Sequence, residues 1–391
     1  MSSTSTPAQE AARKTGRRLR TFWARVTEGF RLQQLWGQFL SEAKAGYGLY
    51  SKDVDWDEIS REKRKVRRFL RGASALFQAL LMKLSPARRV VLLVAIFLVI
   101  FEPDIRSTNG GTSFSLQLGW LGSLMLFLLL ALELADRVTM KRDLEIAREI
   151  QQWLVPDHPP HVPGIDIAFA TRPQNTVAGD YYDAFLRPLA PEGSRTPPLF
   201  LVVADVAGKS VPAALLMATF QASLRALTAT TASLGGLVIG LDRYCRAHSL
   251  EGRRFTTAFM AELNLETRQL YYVNAGHNDP ILRRSDGRLE RLSIGGPPLG
   301  LPLFSDTETQ FSLGTAQLQP GDLLFVFTDG VVEAVSDSGE EYGEKRLLPC
   351  LQASPPESAD EMLKRVMTEV NSFVCYARQH DDITCLALRV S

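Results

Sequence analysis

Cysteine is scarce in this chain. Its 391 residues hold four, Cys245, Cys350, Cys375 and Cys385, and no two form a CxxC pair. This excludes a disulfide-stapled secreted scaffold and a thiolate zinc ribbon, and the thiols are expected to be reduced, as in a cytoplasmic compartment. Histidine is nearly as scarce, with five residues. His158 and His161 lie in PDHPPHVPG, where the prolines point to a linker rather than a metal site. The first residues, MSSTSTPAQEAARKTGRRLR, are basic but lack the apolar core that would follow in a signal peptide.

Net charge is almost absent, at +1, but it is unevenly spread. Residues 1–89 carry 19 Lys/Arg against 8 Asp/Glu, a net +11, which leaves −10 on the rest. No nucleic-acid recognition motif accompanies the basic part, so no nucleic-acid partner is expected. The polybasic stretch REKRKVRRFLR at Arg61–Arg71 instead fits an anionic lipid surface, making membrane lipid the expected partner of this region.

Long apolar runs are few. Val90–Phe101 is one, extended to a short span over Ala87–Ile105, and Phe114–Leu134 is the other, long enough for a hydrocarbon core of about 30 Å. Lys83, Arg88 and Arg89 precede the pair and Arg137, Lys141 and Arg142 follow it. The positive-inside rule then predicts a two-span hairpin in the inner (cytoplasmic) membrane, with both ends and the body of the protein in the cytoplasm. A helix continues to Val155, where Pro156 stops it. Glu133, Arg137, Met140, Leu144, Ala147, Gln151 and Leu154 follow 4-3 spacing along it, the pattern of a short coiled-coil seam, and predict a homodimer through this linker helix. The expected division is a basic helical region over 1–86, a membrane hairpin over 87–134, a linker helix over 135–160 and a catalytic domain over 161–391.

From Ile165 the period changes. IDIAFA, LFLVVADV, FTTAFMAEL, QLYYVNAG, PILRR, DLLFVFTD and DITCLALRV read as strands, and Val211–Thr228, Ala232–His248 and Ser358–Cys375 as helices. Many strands with a few inserted helices predict an α+β sandwich of two sheets covered by helices.

Acidic residues stand where these strands end. Asp180 follows an extended segment in AGDYYD, Asp205 ends LFLVVAD, Asp329 ends DLLFVFTD, and Asp381 and Asp382 precede ITCLALRV. A single Asp-Gly is ordinary turn chemistry. Several carboxylates brought together repel one another, and divalent cations relieve that conflict. All-oxygen ligation suits Mg²⁺ or Mn²⁺, and two such ions can activate a water for in-line attack on a phosphoryl group.

EIAREIQQWLVP, RPQNTVAGDYYDAF, ADVAGKSVPAALLM, NAGHNDP, GGPPLGL, LQPGDLLFVFTDGVVEA and HDDITCLAL, in that order, resemble the bacterial SpoIIE/RsbU-type protein serine/threonine phosphatases. These belong to the metal-dependent type 2C superfamily, and the resemblance covers roughly residues 145–391. It implies a four-layer α/β/β/α sandwich with two Mn²⁺ or Mg²⁺ at one end. It further implies that Asp205 bridges both ions, that the Val206 carbonyl completes a shell, that Asp329 and Asp381 hold the first ion, and that Asp180 acts through the second. Asp382 is the alternative to Asp381, since adjacent residues of a strand face opposite ways. His277 in NAGHND is the candidate proton donor, and Arg172 a candidate phosphate contact. The implied substrate is a phosphorylated regulatory protein of the anti-anti-sigma type in partner switching. A silent phosphoprotein-binding scaffold and a hydrolase of a small phosphorylated metabolite are the alternatives. Two departures lie beside the aspartates: Ala178 where the family often has glycine, and Lys209-Ser210 where it usually has His-Gly.

Overall fold

The computed structural model describes residues 65–109, 112–189, 196–249, 254–301, 311–353, 356–375, 377 and 379–391. Most of the basic region, with the first part of its polybasic stretch, lies outside the described residues. The chain divides into two compact units, Met1–Arg137 and Val138–Ser391.

In the first unit, α1 (Lys65–Lys83) and α2 (Pro86–Phe101) precede an antiparallel hairpin of β1 (Asp104–Asn109) and β2 (Thr112–Gln117). A 36-residue helix, α3 (Gly119–Leu154), follows and continues into the second unit. Small residues let α2 and α3 approach closely: a Cβ on Gly122 would lie 2.8 Å from the Ala95 carbonyl. Arg88 pairs across the two helices with Asp136 at 2.6 Å and Glu133 at 3.4 Å.

The expected two-span membrane hairpin is overturned, and the inner-membrane placement with it. No helix among the described residues is long and apolar enough to cross a membrane. The 16 residues of α2 rise about 24 Å, short of the roughly 30 Å of a hydrocarbon core. The second run, read as one span from Phe114, is split: its first residues pair in β2, and the helix starts only at Gly119. Between there and Glu133 its apolar part rises only about 20 Å.

The second unit is a sandwich whose central strands are apolar throughout because each buries both faces. Along β5 (Leu199–Val206), Leu199, Leu201 and Val203 enter the core between the sheets, while Phe200, Val202, Ala204 and Val206 pack outward beneath helices. One sheet runs β10 (Gly295–Gly296), β7 (Gln269–Ala275), β6 (Thr256–Leu263), β5, β4 (Tyr181–Leu186), with β11 (Gly314–Gln317) also on β7. The other runs β3 (Ile165–Arg172), β13 (Ile383–Val390), β12 (Leu323–Phe327), β8 (Ile281–Arg283), β9 (Leu289–Arg291). α4 (Ser210–Thr230) and α5 (Leu234–Ala247) cover the first sheet through Met217, Phe220, Leu237 and Leu241. α7 (Glu344–Gln352) and α8 (Ala359–Val374) cover the second through Leu347, Leu351, Met362 and Val366. A single turn, α6 (Asp329–Val332), follows β12. The layers are α/β/β/α, as expected.

Candidate metal centre

The register of the two sheets decides where the acidic residues go. In the first, β4 and β5 are antiparallel with Tyr181 opposite Ala204, so the start of β4 lies beside the end of β5 and brings Asp180 to Asp205. In the second, Phe327 pairs with Cys385, so Thr328 and Asp329 leave β12 beside the residues that enter β13. Gly330 is required here, because a Cβ on it would fall 1.9 Å from the Asp382 carbonyl oxygen.

Hydrogen bonds then join the two acidic edges. Thr328 Oγ1 donates to Asp180 Oδ2 at 2.9 Å, and Gly179 N donates to Asp382 Oδ2 at 2.6 Å. Gln174 N takes the other Asp382 oxygen at 2.6 Å, so both oxygens of this buried carboxylate are held by backbone. Asp381 points elsewhere, with Oδ2 2.9 Å from Lys209 Nζ, while its Oδ1 accepts from the Asp382 backbone N–H. The carbonyl of Val206 lies beside Gly179, 3.3 Å from where a Cβ would stand.

The electrostatics follow from burial and crowding. Burial, then the charges of Asp205 and Asp382, push Asp180 well above the usual carboxylate range. Asp205 is pushed up to about 7 by burial and by Asp329, Asp381 and Asp382, with a hydrogen bond from Asp180 opposing the shift. Asp329 is raised by burial and Asp381, and Asp382 chiefly by burial. Such a set of oxygen donors, held together against their own repulsion, has the chemistry of a divalent-cation site. Among the described residues, however, no three His, Cys, Asp or Glu side chains already converge on a common ion position. The hydrogen bonds account for this: Asp180 is turned toward Thr328, Asp382 toward backbone and Asp381 toward Lys209.

Not every expected residue joins the cluster. His277 is buried, its ring bonding Thr257 Oγ1 at 3.1 Å through Nδ1, and burial lowers it to about 4. It is therefore neutral at pH 7. Its Nε2 has no hydrogen-bond partner. Arg172 donates to Asn371 on α8.

Three contributors were not assigned to the site from the sequence. Thr328 was legible only as a polar residue closing an apolar strand. Glu333, four positions after Asp329, is raised by burial and by Asp329 at the rim. Gln151, which the 4-3 spacing placed in a coiled-coil seam, clamps the loop before Asp180: its Nε2 donates to the Ala178 carbonyl at 2.7 Å and its Oε1 accepts from the Ala178 N–H at 2.9 Å. A cavity of about 600 Å³ lies between this end of α3 and the loop, with Trp153, Thr176, Tyr182 and Asp180 in its wall.

A four-layer sandwich with carboxylates gathered at one end of both sheets defines the type 2C phosphatase class. The SiaA-PP2C domain of Pseudomonas aeruginosa shares this fold, with a TM-score of 0.54 at 20% identity, over 66% of this chain and 99% of that domain. Residues 197–391 match the family model described as Stage II sporulation protein E (SpoIIE), so the chain carries a domain of this SpoIIE family of type 2C phosphatases. Protein IcfG of Synechocystis sp. is 28% identical over 304 residues, 70% of this chain. Phosphoserine phosphatase RsbU of Bacillus subtilis is 28% identical over 253 residues, 64% of this chain. The chain spans 46% of the length of IcfG and 70% of RsbU.

Proposed function

We propose that the protein is a metal-dependent phosphatase that removes phosphate from phosphoserine or phosphothreonine on a regulatory protein of a partner-switching system. The observation that carries this reading is the gathering of Asp180, Asp205, Asp329 and Asp381 from both sheets into one self-repelling group. Two Mn²⁺ or Mg²⁺ are proposed there, supplying an activated water and neutralising charge on the phosphoryl group.

Asp205, central to the cluster and influenced by every other carboxylate in it, is the residue suited to serve both ions. Asp329 and Asp381 are proposed for the first ion, Asp180 for the second, with the Val206 carbonyl at the edge of the shell. Asp381 is favoured over Asp382 because both Asp382 oxygens already accept backbone N–H groups. Thr328 and Gly179 orient Asp180 and Asp382 and tie the two sheets together. His277 is proposed as the proton donor: its Nδ1 bonds Thr257, and its buried Nε2 has no hydrogen-bond partner. The peptide substrate and the RsbU-like regulatory partner are proposed from the family alone.

Self-association through α3 belongs to the same proposal. Ile146, Ile150 and Trp153 form an exposed apolar ridge at helical spacing, and Trp153 is 83% exposed.

The test is phosphate release from a phosphoserine protein with Mn²⁺, with EDTA, and with Asp205→Asn. Release that survives both chelation and the substitution sinks the metal mechanism. Release from small phosphomonoesters alone would favour the metabolite alternative.

A further inference from the structure

The carboxylate cluster has a resident cation. Lys209 Nζ lies 2.9 Å from Asp381 Oδ2 and donates to the His380 carbonyl at 2.6 Å. Its charge also reaches Asp329 and Glu333. The backbone is bent to deliver it. Gly208 has φ +130° and Ser210, without a glycine's freedom, has φ +62°, so the turn between β5 and α4 is held in a costly conformation. Lys209 thereby crosses from the end of β5 in one sheet to the loop before β13 of the other, 171 residues away. Arg254 stands near the same turn but donates to the Ala207 carbonyl.

We propose that Lys209 is a positioning residue for Asp381, pairing with that carboxylate in the metal-free protein and yielding it when a divalent cation binds. This rests on the metal reading above. Two observations meet in it: the ammonium lies 2.9 Å from the carboxylate proposed for the first ion, and its charge also acts on Asp329, the other residue proposed for that ion. An ammonium carries one charge and cannot replace a divalent ion, but it offsets part of the repulsion among the carboxylates. Cation binding at Asp329 and Asp381 is then an exchange, with Lys209 swinging out on its flexible stem.

The test uses the full chain and Mn²⁺, comparing Lys209→Met, which keeps the stem, and Lys209→Arg, which keeps the charge. By titration calorimetry Lys209→Met binds Mn²⁺ roughly three- to tenfold more tightly, the scale of a half-exposed ion pair plus the repulsion it imposes on an incoming cation. Its melting temperature falls in EDTA but not in saturating Mn²⁺. Lys209→Arg stays close to the parent in both measurements. A structural lysine would lower the melting temperature equally with and without metal, and a solvated one would change neither quantity; either result overturns the exchange. If the parent chain binds no Mn²⁺ at all, the metal reading fails and this inference with it. If the parent binds Mn²⁺ and Lys209→Met binds it identically, only this inference fails.

Discussion

Asp205 sits where four other carboxylates can act on it, and burial in that company makes its charged form expensive. Its proton affinity is raised in the folded, metal-free protein, to about 7, above its unfolded value. The folded state therefore holds more protons than the unfolded state between about pH 4 and pH 7. Stability from this group is present below its unfolded pKa and is lost as the pH rises through the folded value. In EDTA the melting temperature should fall as pH increases from 5 to 8, and saturating Mn²⁺ should flatten the dependence. Metal binding should release protons below pH 7, which titrations in buffers of different ionisation enthalpy would register. Asp205→Asn removes a charge from the repelling group, so it should raise the melting temperature in EDTA while lowering Mn²⁺-dependent phosphate release at least about a hundredfold. A fall in both would mean that Asp205 serves the fold instead.

Among the elements, the central strands were the most legible. β5, β12 and β13 bury both faces, so their sequences are continuous apolar runs, and an acid at the end of such a run is conspicuous. β4 (YYDAFL) carries no clear strand pattern in the sequence, because Asp183 interrupts its apolar run. The structure shows why it is tolerated: the carboxylate is buried, with Oδ2 2.6 Å from both Tyr181 Oη and Arg225 Nη2. α7 was hidden by Pro349 inside it, and β10, two glycines long, carries no pattern. The linker helix carries more than its spacing shows. Its 4-3 spacing is real, but Gln151 on that face is occupied by Ala178, and the exposed ridge runs through Ile146, Ile150 and Trp153. Gln151→Ala should cost about 1–2 kcal/mol by removing both bonds to a part-buried peptide group, and should weaken Mn²⁺ binding by loosening the loop that carries Asp180. Thermal melts and calorimetry with and without Mn²⁺ check both. Unchanged affinity with lowered stability would confine Gln151 to holding the helix in place.

For the whole molecule, the unit Val138–Ser391 contains all three apolar clusters of the sandwich and the complete carboxylate cluster. A fragment starting at residue 138 should fold alone and bind Mn²⁺ as the full chain does. One starting at Ile165 loses Gln151, Val155 and the core residue Val162, and should melt earlier with altered metal affinity. Equal melting temperature and Mn²⁺ affinity of the full chain and the Ile165 fragment would argue against a supporting role for the linker helix. At this scale the two apolar runs do not amount to membrane spans, because the first helix is short and the backbone breaks within the second run. β2 takes the start of the second run, and Glu133 closes the rest.

The bonds from Thr328 to Asp180 and from Gly179 to Asp382 also bear on quality control. Neither sheet owns enough of the acidic cluster to hold the proposed ions alone, so that site depends on the docking of one sheet against the other. A slip of β12 by one residue would turn Thr328 away from Asp180 and carry Asp329 out of reach. On the proposed function, misassembled copies would then be silent rather than promiscuous.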